Sequence, residues 1–150
     1  MKKSVLLFLL FFVWVSSNSI AQEKPLSKKA LQQLDEAEKD MVNAISNGDS
    51  AAFKKIAGFD YIDINANGTK TTLQSMLIDI PNFKGISVSF SEKSQRVYGN
   101  FVLKNGRAKF SLRDQLVAEV FYTQGWVYRE KKWQFVHWQG TMTKDFLQMK

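Results

Sequence analysis

The chain contains no cysteine, only two prolines and a single histidine among its 150 residues. The lack of cysteine excludes disulfide bonds, thiol catalysis and cysteine-ligated metals, so packing must stabilise the fold. One histidine provides no cluster for a transition metal, and no acidic group has the spacing of a calcium-binding loop. A glycine-rich phosphate loop and a Gly-x-Ser-x-Gly nucleophile motif are also missing. We therefore expect no metal and no cofactor.

The excess of positive charge is moderate and spread along the chain. Lys and Arg number 21 against 14 Asp and Glu, and lysine pairs occur at 28–29, 54–55 and 131–132 rather than in one run. A scattered pattern of this kind is typical of a solvated surface, so we expect no nucleic-acid binding. It gives at most a weak attraction to an anionic envelope surface.

The N-terminus has the pattern of a secretory signal. Lys2 and Lys3 precede eleven apolar residues, Val5–Val15, and Ser19-Ile20-Ala21 places small residues where signal peptidase cleaves. As a helix this run would rise only about 16 Å, too little for a hydrocarbon core of roughly 30 Å, so no stable membrane anchor is expected. Removal of residues 1–21 would leave a single domain, 22–150, with 19 basic and 14 acidic residues. The expected location is the periplasm or the extracellular medium.

Three helices are predicted in the first half of this domain. Apolar residues recur at three- and four-residue steps between the N-cap Ser27 and the stop at Asn47-Gly48. Asp49 caps a second, short helix. A third helix opens at Thr71 with a capping box and closes at Pro81.

The period then changes to that of strands. A first strand covers 59–64, and everything after Gly85 reads as sheet, including long strands at 115–129 and 133–142. Asn105-Gly106 permits either a hairpin or a bulge in one long strand. Helices on one face of a curved antiparallel sheet predict an α+β fold, usually with a pocket between the two layers.

Four motifs, in this order, resemble the nuclear transport factor 2-like superfamily, in particular its SnoaL-like and calcium/calmodulin-kinase-association-like domains. They are Ala44–Asp49, Phe59–Ile62 with Asn67-Gly68, Arg96–Asn100, and the closing hairpin from Thr123 to Thr141. The resemblance implies a cone-shaped, cystatin-like curved antiparallel sheet with the three helices packed on its concave face. Gly125 replaces an aliphatic strand residue of the family pattern, which predicts a bulge there.

The resemblance leaves the function open, because members include isomerases, dehydratases and cyclases, while others bind small apolar ligands or only dimerise through the sheet. We expect an exported homodimer that binds a small apolar ligand or serves as an accessory module. The alternatives are an isomerase- or lyase-type enzyme and a protein-interaction module of the cell envelope.

Asp63 and His137 are the candidate catalytic residues. Asp60 and Asp63 point to opposite faces of their strand, whereas Asp63 and Tyr61 share a face. In the ketosteroid-isomerase branch of this superfamily, a carboxylate in the cone removes a proton and a tyrosine stabilises the oxyanion. The resemblance to the superfamily implies that Asp63, with Tyr61 or Tyr98, could imitate that pair. Alternatively, Asp63 serves the adjacent turn.

His137 is predicted to share a face with Trp133, Phe135 and Gln139. A proton carrier at a pocket mouth and a hydrogen-bonded histidine on an aromatic face are both consistent with this position, and the second is favoured. The pocket-lining candidates are Tyr61, Tyr98, Trp126, Trp133, Phe135 and Gln139. The aromatic members could equally form the core and a dimer interface.

Overall fold

A computed structural model describes residues 26–148 of the chain. The predicted signal sequence, residues 1–21, lies outside the described residues. The helices are α1 (Lys28–Asn47), α2 (Ser50–Ile56), α3 (Leu73–Asp79) and α4 (Lys144–Gln148), with a 3-10 turn at Ile80–Phe83. The strands are β1 (Ala57–Ile64), β2 (Lys70–Thr72), β3 (Ile86–Tyr98), β4 (Phe101–Leu112), β5 (Gln115–Arg129) and β6 (Lys132–Met142).

The ends of α1 follow from its capping residues. The hydroxyl of Ser27 accepts a hydrogen bond from the Ala30 amide at 3.1 Å, and Gly48 ends the helix with φ 67°. The buried stripe comprises Ala30, Leu34, Glu38, Met41 and Ala44. The spacing of these residues confirms the predicted amphipathic helix, with one charged residue, Glu38, on its buried side.

The start of α3 differs from the prediction. Thr71 does not open the helix, because it is buried in β2 and pairs with Asp63 of β1. The N-cap is the next residue, Thr72, whose hydroxyl accepts from the Ser75 amide at 3.5 Å. The helix then tightens into the 3-10 turn, with Pro81 in its first turn.

The six strands form one curved, open sheet in the order β2-β1-β6-β5-β4-β3. Strands β3 to β6 make an antiparallel meander, while β1 lies parallel to β6. This parallel pair departs from the all-antiparallel expectation. It arises because the last strand of the meander returns beside the first strand of the chain.

Three bulges bend the meander. Asn105-Gly106 lies inside the continuous strand β4, and β3 has one extra residue between Ser91 and Ser94. A side chain on Gly106 would come within 2.7 Å of the Ser91 carbonyl oxygen, so only glycine fits. A register shift is present at Gly125 as predicted, but the extra residue is Val136 of β6 and not a residue of the strand that contains Gly125. The third bulge leaves Val117 of β5 unpaired.

The core lies between the first three helices and the concave face of the sheet. Its most buried side chains are Leu34, Phe53, Ile80, Val102, Trp126 and Phe135. Helix α4, which the sequence pattern did not predict, begins after the hydrogen bond from the Thr143 amide to the Glu119 carbonyl and buries Phe146. Within residues 26–148, no helix combines the length and apolar character needed to cross a bilayer.

Candidate functional site

A cavity of about 250 Å³ opens between α1, the 3-10 turn and the concave face of the sheet. We call it the cone pocket. Its wall is mainly aliphatic and aromatic, and includes Met41, Val42, Ile45, Met76, Phe83, Ile86, Val88, Phe90, Phe110, Phe135 and Trp138. A concave, apolar wall with few polar groups is the usual form of a small-molecule site.

The polar lining of the pocket comes from one strand and the residue after it. Tyr61 and Asp63 of β1 point into the cavity together with Asn65. The alternation of side chains along β1 places Tyr61 and Asp63 on one face, as expected from the sequence. The amide of Asn65 donates to the hydroxyl of Thr71 at 3.1 Å, so part of its hydrogen-bonding capacity is already used.

Asp63 is the chemically unusual residue of this wall. It is only 5% exposed, and its Oδ1 has no hydrogen-bond partner among residues 26–148. Burial raises the pKa of Asp63 from 3.8 to about 7. Burial and the nearby Asp63 charge likewise raise the pKa of Tyr61 well above its ordinary value. Near neutral pH, Asp63 therefore exists in both protonation states and can donate or accept a hydrogen bond.

The other aromatic candidates divide between the pocket, the core and the surface. Phe135 lines the pocket and packs on Tyr61, with ring centroids 5.3 Å apart. Trp126 and Trp133 lie in the core rather than in the pocket wall, and the indole of Trp133 donates to the Ala30 carbonyl at 2.6 Å. Tyr98 is 53% exposed at the end of β3, so the prediction that it lines a pocket with Asp63 is wrong.

The bulge at Val136 overturns the predicted orientation of the last strand. His137 pairs with Gly125 and Ile62. Because Val136 is an extra residue, the alternation of side chains shifts by one after Phe135, and His137 points away from the helices. Phe135 and Trp133 stay on the concave face, and the shared face predicted for them with His137 is wrong. Asp63 and His137 consequently lie on opposite sides of the sheet and cannot serve one site.

Gln139 also lies on the convex side. With Glu92, Phe121 and Thr141 it borders a shallow groove of about 350 Å³ on this face. It therefore does not contribute to the cone pocket. Because Val136 is an extra residue, Trp138 lies on the concave face where Gln139 was expected, and it pairs with Asp63 of the parallel strand β1.

Sequence reasoning missed most of the pocket wall. Ile86, Val88 and Phe90 alternate along β3 and carried a recognisable signal for one buried face. Met41, Val42 and Phe83 could not be identified in this way, because their side of α1 and of the 3-10 turn faces the cavity only after packing. Trp138 could not be assigned to the pocket because the bulge at Val136 changes which residues of β6 face the helices.

Comparison with known proteins identifies the architecture. No family profile matches the sequence, and no curated protein matches it. Among solved structures, the chain is similar to a nuclear transport factor 2-like protein from Cytophaga hutchinsonii, with TM-score 0.66, 16% identity and coverage of 79% of this chain and 100% of the other. It is also similar to a candidate calcium/calmodulin-dependent kinase II association domain from Exiguobacterium sibiricum, with TM-score 0.68, 15% identity and coverage of 79% and 96%.

A cystatin-like protein of unknown function from Nostoc punctiforme gives TM-score 0.69 at 9% identity, covering 80% of this chain and 96% of the other. The chain has a nuclear transport factor 2-like fold. The resemblance drawn from the sequence motifs is therefore confirmed at the level of the fold.

The nuclear transport factor 2-like cone of this protein also contains a buried ion pair. Lys104 Nζ of β4 lies 2.8 Å from Glu38 Oε2 of α1 and 3.3 Å from Asp35 Oδ1, which ties the long helix to the sheet. The Tyr122 hydroxyl, whose pKa is raised by burial and by Glu38, has no hydrogen-bond partner among the described residues. The Tyr122 ring stacks on Trp138, with centroids 5.2 Å apart. Tyr122 therefore connects the surroundings of the ion pair to the wall of the cone pocket.

Proposed function

We propose that this protein binds a small, mostly apolar molecule in the cone pocket, with Asp63 hydrogen-bonded to a polar group of that molecule. The observation that carries the proposal is a buried carboxyl oxygen in a mainly apolar cavity, with no hydrogen-bond partner among residues 26–148. An unpaired buried polar atom costs about 1–3 kcal/mol, which a ligand group at hydrogen-bond distance would recover. The cavity is slightly smaller than the roughly 300–1,000 Å³ usual for drug-sized ligands, which favours a small molecule.

The charge of the pocket favours neutral ligands. Asp63 is the only ionisable carboxyl in the lining that the structure describes, and no basic side chain lines the cavity with it. An anionic ligand would meet the ionised fraction of Asp63 with no cation to offset the repulsion. A neutral carbonyl or hydroxyl compound can instead accept from, or donate to, this carboxyl group.

Filling the pocket tests the proposal. We expect Ala118→Trp to weaken binding of the neutral fluorescent probe phenylnaphthylamine by about tenfold or more, because Ala118 lines the cavity and an indole would occupy it. The measurement is a fluorescence titration of the purified protein. Ala51→Trp makes the same chemical change on the exposed side of α2 and should leave the affinity unchanged. Probe binding by a folded Ala118→Trp protein at wild-type affinity would place the ligand elsewhere.

A second candidate function is proton transfer of the isomerase or lyase type. It is favoured by the pKa of Asp63, about 7, which is the range of an effective general base at neutral pH. Tyr61, two residues away on the same strand face, would hydrogen-bond to the developing oxyanion. The separating measurement is recovery of the bound compound: a chemically changed product that Asp63→Asn no longer forms supports catalysis, and an unchanged compound supports binding alone.

We further infer that the protein is exported and forms a homodimer through the convex face of the sheet. The secretory pattern of residues 1–21 supports export, and the exposed ring of Phe121 beside the convex groove supports self-association. An envelope protein bound at the same face is the alternative. Sedimentation of the processed protein as a monomer at tens of micromolar would exclude the homodimer, and an uncleaved N-terminus on the cellular protein would exclude export by a cleaved signal.

A further inference from the structure

The tip of the β4–β5 hairpin exposes three neighbouring aliphatic side chains. Leu112, Leu116 and Val117, here called the apolar rim, are 40%, 37% and 41% exposed. The strands are joined by Arg113 and Asp114, both with positive φ, which makes a tight two-residue turn that projects the tip. Single exposed aliphatic residues are ordinary, but three at one hairpin tip indicate a surface that meets a partner or a lipid. Leu112 pairs with Gln115 and Leu116 with Ser111, so the two leucines extend from opposite faces of the tip and enter a surface together when the tip meets it end-on.

The apolar rim borders the opening of the cone pocket. Val117 both lines the cavity and is exposed, so the pocket reaches the surface at this residue. The β5 bulge produces this position, because the register shift between Phe110 and Ser111 leaves Val117 without a partner on β4. Leu112 pairs across the sheet with Ile86, another lining residue. The apolar surface is therefore continuous from the hairpin tip to the pocket interior.

Basic residues surround the apolar rim. Three exposed basic residues lie near the rim. Lys109 and Arg113 lie close to Leu112 in the sequence, and Lys84 lies two residues before Ile86, which pairs with Leu112 across the sheet. The turn also contains one acidic residue, Asp114. Aliphatic residues flanked by basic ones are typical of proteins that insert shallowly among anionic lipid headgroups. Each basic residue near such a surface contributes about 1 kcal/mol of attraction.

We propose that the apolar rim docks on an anionic lipid surface and that the cone pocket takes up its apolar ligand there. This inference rests on the proposed function, since it supplies the source of the ligand. Apolar molecules concentrate in lipid rather than water, so a pocket that opens at the lipid surface avoids transfer of the ligand through water. A second protein copy is a poorer occupant, because stable protein interfaces bury about 800 Å² on each partner and a hairpin tip offers far less.

Vesicle co-sedimentation tests the docking surface. The full processed protein is mixed with sucrose-loaded vesicles of phosphatidylglycerol and phosphatidylcholine in equal parts, or of phosphatidylcholine alone. We expect tighter binding to the anionic vesicles, and binding that falls in high salt because the charges are then screened. Leu112→Ser/Leu116→Ser should weaken binding to the anionic vesicles about tenfold, because two aliphatic side chains no longer enter the lipid.

Two further variants sharpen the test. Phe59→Ser/Val97→Ser removes two exposed apolar side chains, one on β1 and one at the end of β3 opposite the hairpin tip, and should bind the vesicles like the wild type. Lys84→Gln/Arg113→Gln keeps the apolar rim and should reduce binding to anionic vesicles by tenfold or more, since about 1 kcal/mol is lost for each charge. Circular dichroism verifies that each variant is folded.

The outcomes separate this inference from the proposed function. Leu112 and Leu116 lie outside the pocket lining, so their double variant should still bind phenylnaphthylamine in solution. Ala118→Trp should lose the probe and keep the vesicles. Wild-type vesicle binding by the rim variant, or equal and salt-insensitive binding to both vesicle types, would overturn the docking inference even if the probe binds normally. A lipid-free change in the sedimentation coefficient of the rim variant would assign the rim to a second copy instead.

Discussion

Replacement of Asp63 by asparagine is expected to raise the melting temperature at pH 8 by roughly 10 °C and to change it little at pH 4. The pKa of Asp63 is about 7 in the folded protein, because the carboxyl is buried, against 3.8 for an exposed aspartate. Between these two values the unfolded chain has released the proton and the folded protein still holds it. The free energy of unfolding therefore falls as the pH rises from about 4 to about 7 and is constant above that range.

The expected size follows from the difference between the two pKa values. About three pH units at 1.36 kcal/mol each amount to roughly 4 kcal/mol, and asparagine removes this penalty because it does not ionise. Thermal melts of the two proteins at half-unit pH steps measure the effect.

Asp60→Asn is the matched control on the same strand. The hydrogen bond from Arg129 holds the pKa of Asp60 below its usual value, so the ionised form is favoured in the folded protein. The control should therefore lose a little stability at pH 8 rather than gain it. Superimposable pH profiles for wild type and Asp63→Asn would mean that the Asp63 carboxylate is well solvated, and the basis for a pocket ligand at this residue would be lost.

Lys104→Met is expected to lower the free energy of unfolding by about 3–5 kcal/mol. Lys104 and Glu38 are both buried, and the Nζ–Oε2 distance is 2.8 Å. Removal of the lysine leaves the buried Glu38 carboxylate without its nearest cation. The remaining cation, Lys93, is half-exposed and its Nζ lies 3.8 Å from Glu38, so it compensates only in part. Urea unfolding of the single variant measures this cost.

The double variant Glu38→Leu/Lys104→Met isolates the ion pair. Replacing both charges by apolar groups removes the unpaired carboxylate, so most of the lost stability should return. Asp60→Asn, which breaks an exposed pair with Arg129, should cost less than about 1 kcal/mol under the same conditions. A double variant as unstable as Lys104→Met would show that packing, and not the unpaired charge, accounts for the loss.

Local sequence patterns were sufficient for the elements and for part of the site. The Ser27 and Asp49 caps, the Gly48 stop and the periodicities of α1 and β5 depend on neighbours within a few residues, so they can be read directly. Tyr61 and Asp63 were correctly assigned to one face for the same reason, since alternation within an unbroken stretch of strand needs no tertiary information. The order of these elements also sufficed to indicate the fold.

Contacts between distant strands decided the rest. A bulge depends on the register of two strands, so the extra Val136 could not be located from β6 alone, and it reversed the side on which His137 and Gln139 lie. The pairing of β1 with β6 placed Trp138 opposite Asp63. The raised pKa of Asp63 likewise depends on side chains from α1, the 3-10 turn and the sheet that exclude water together. Residue order encodes each element, whereas the pocket exists only where eight of them converge.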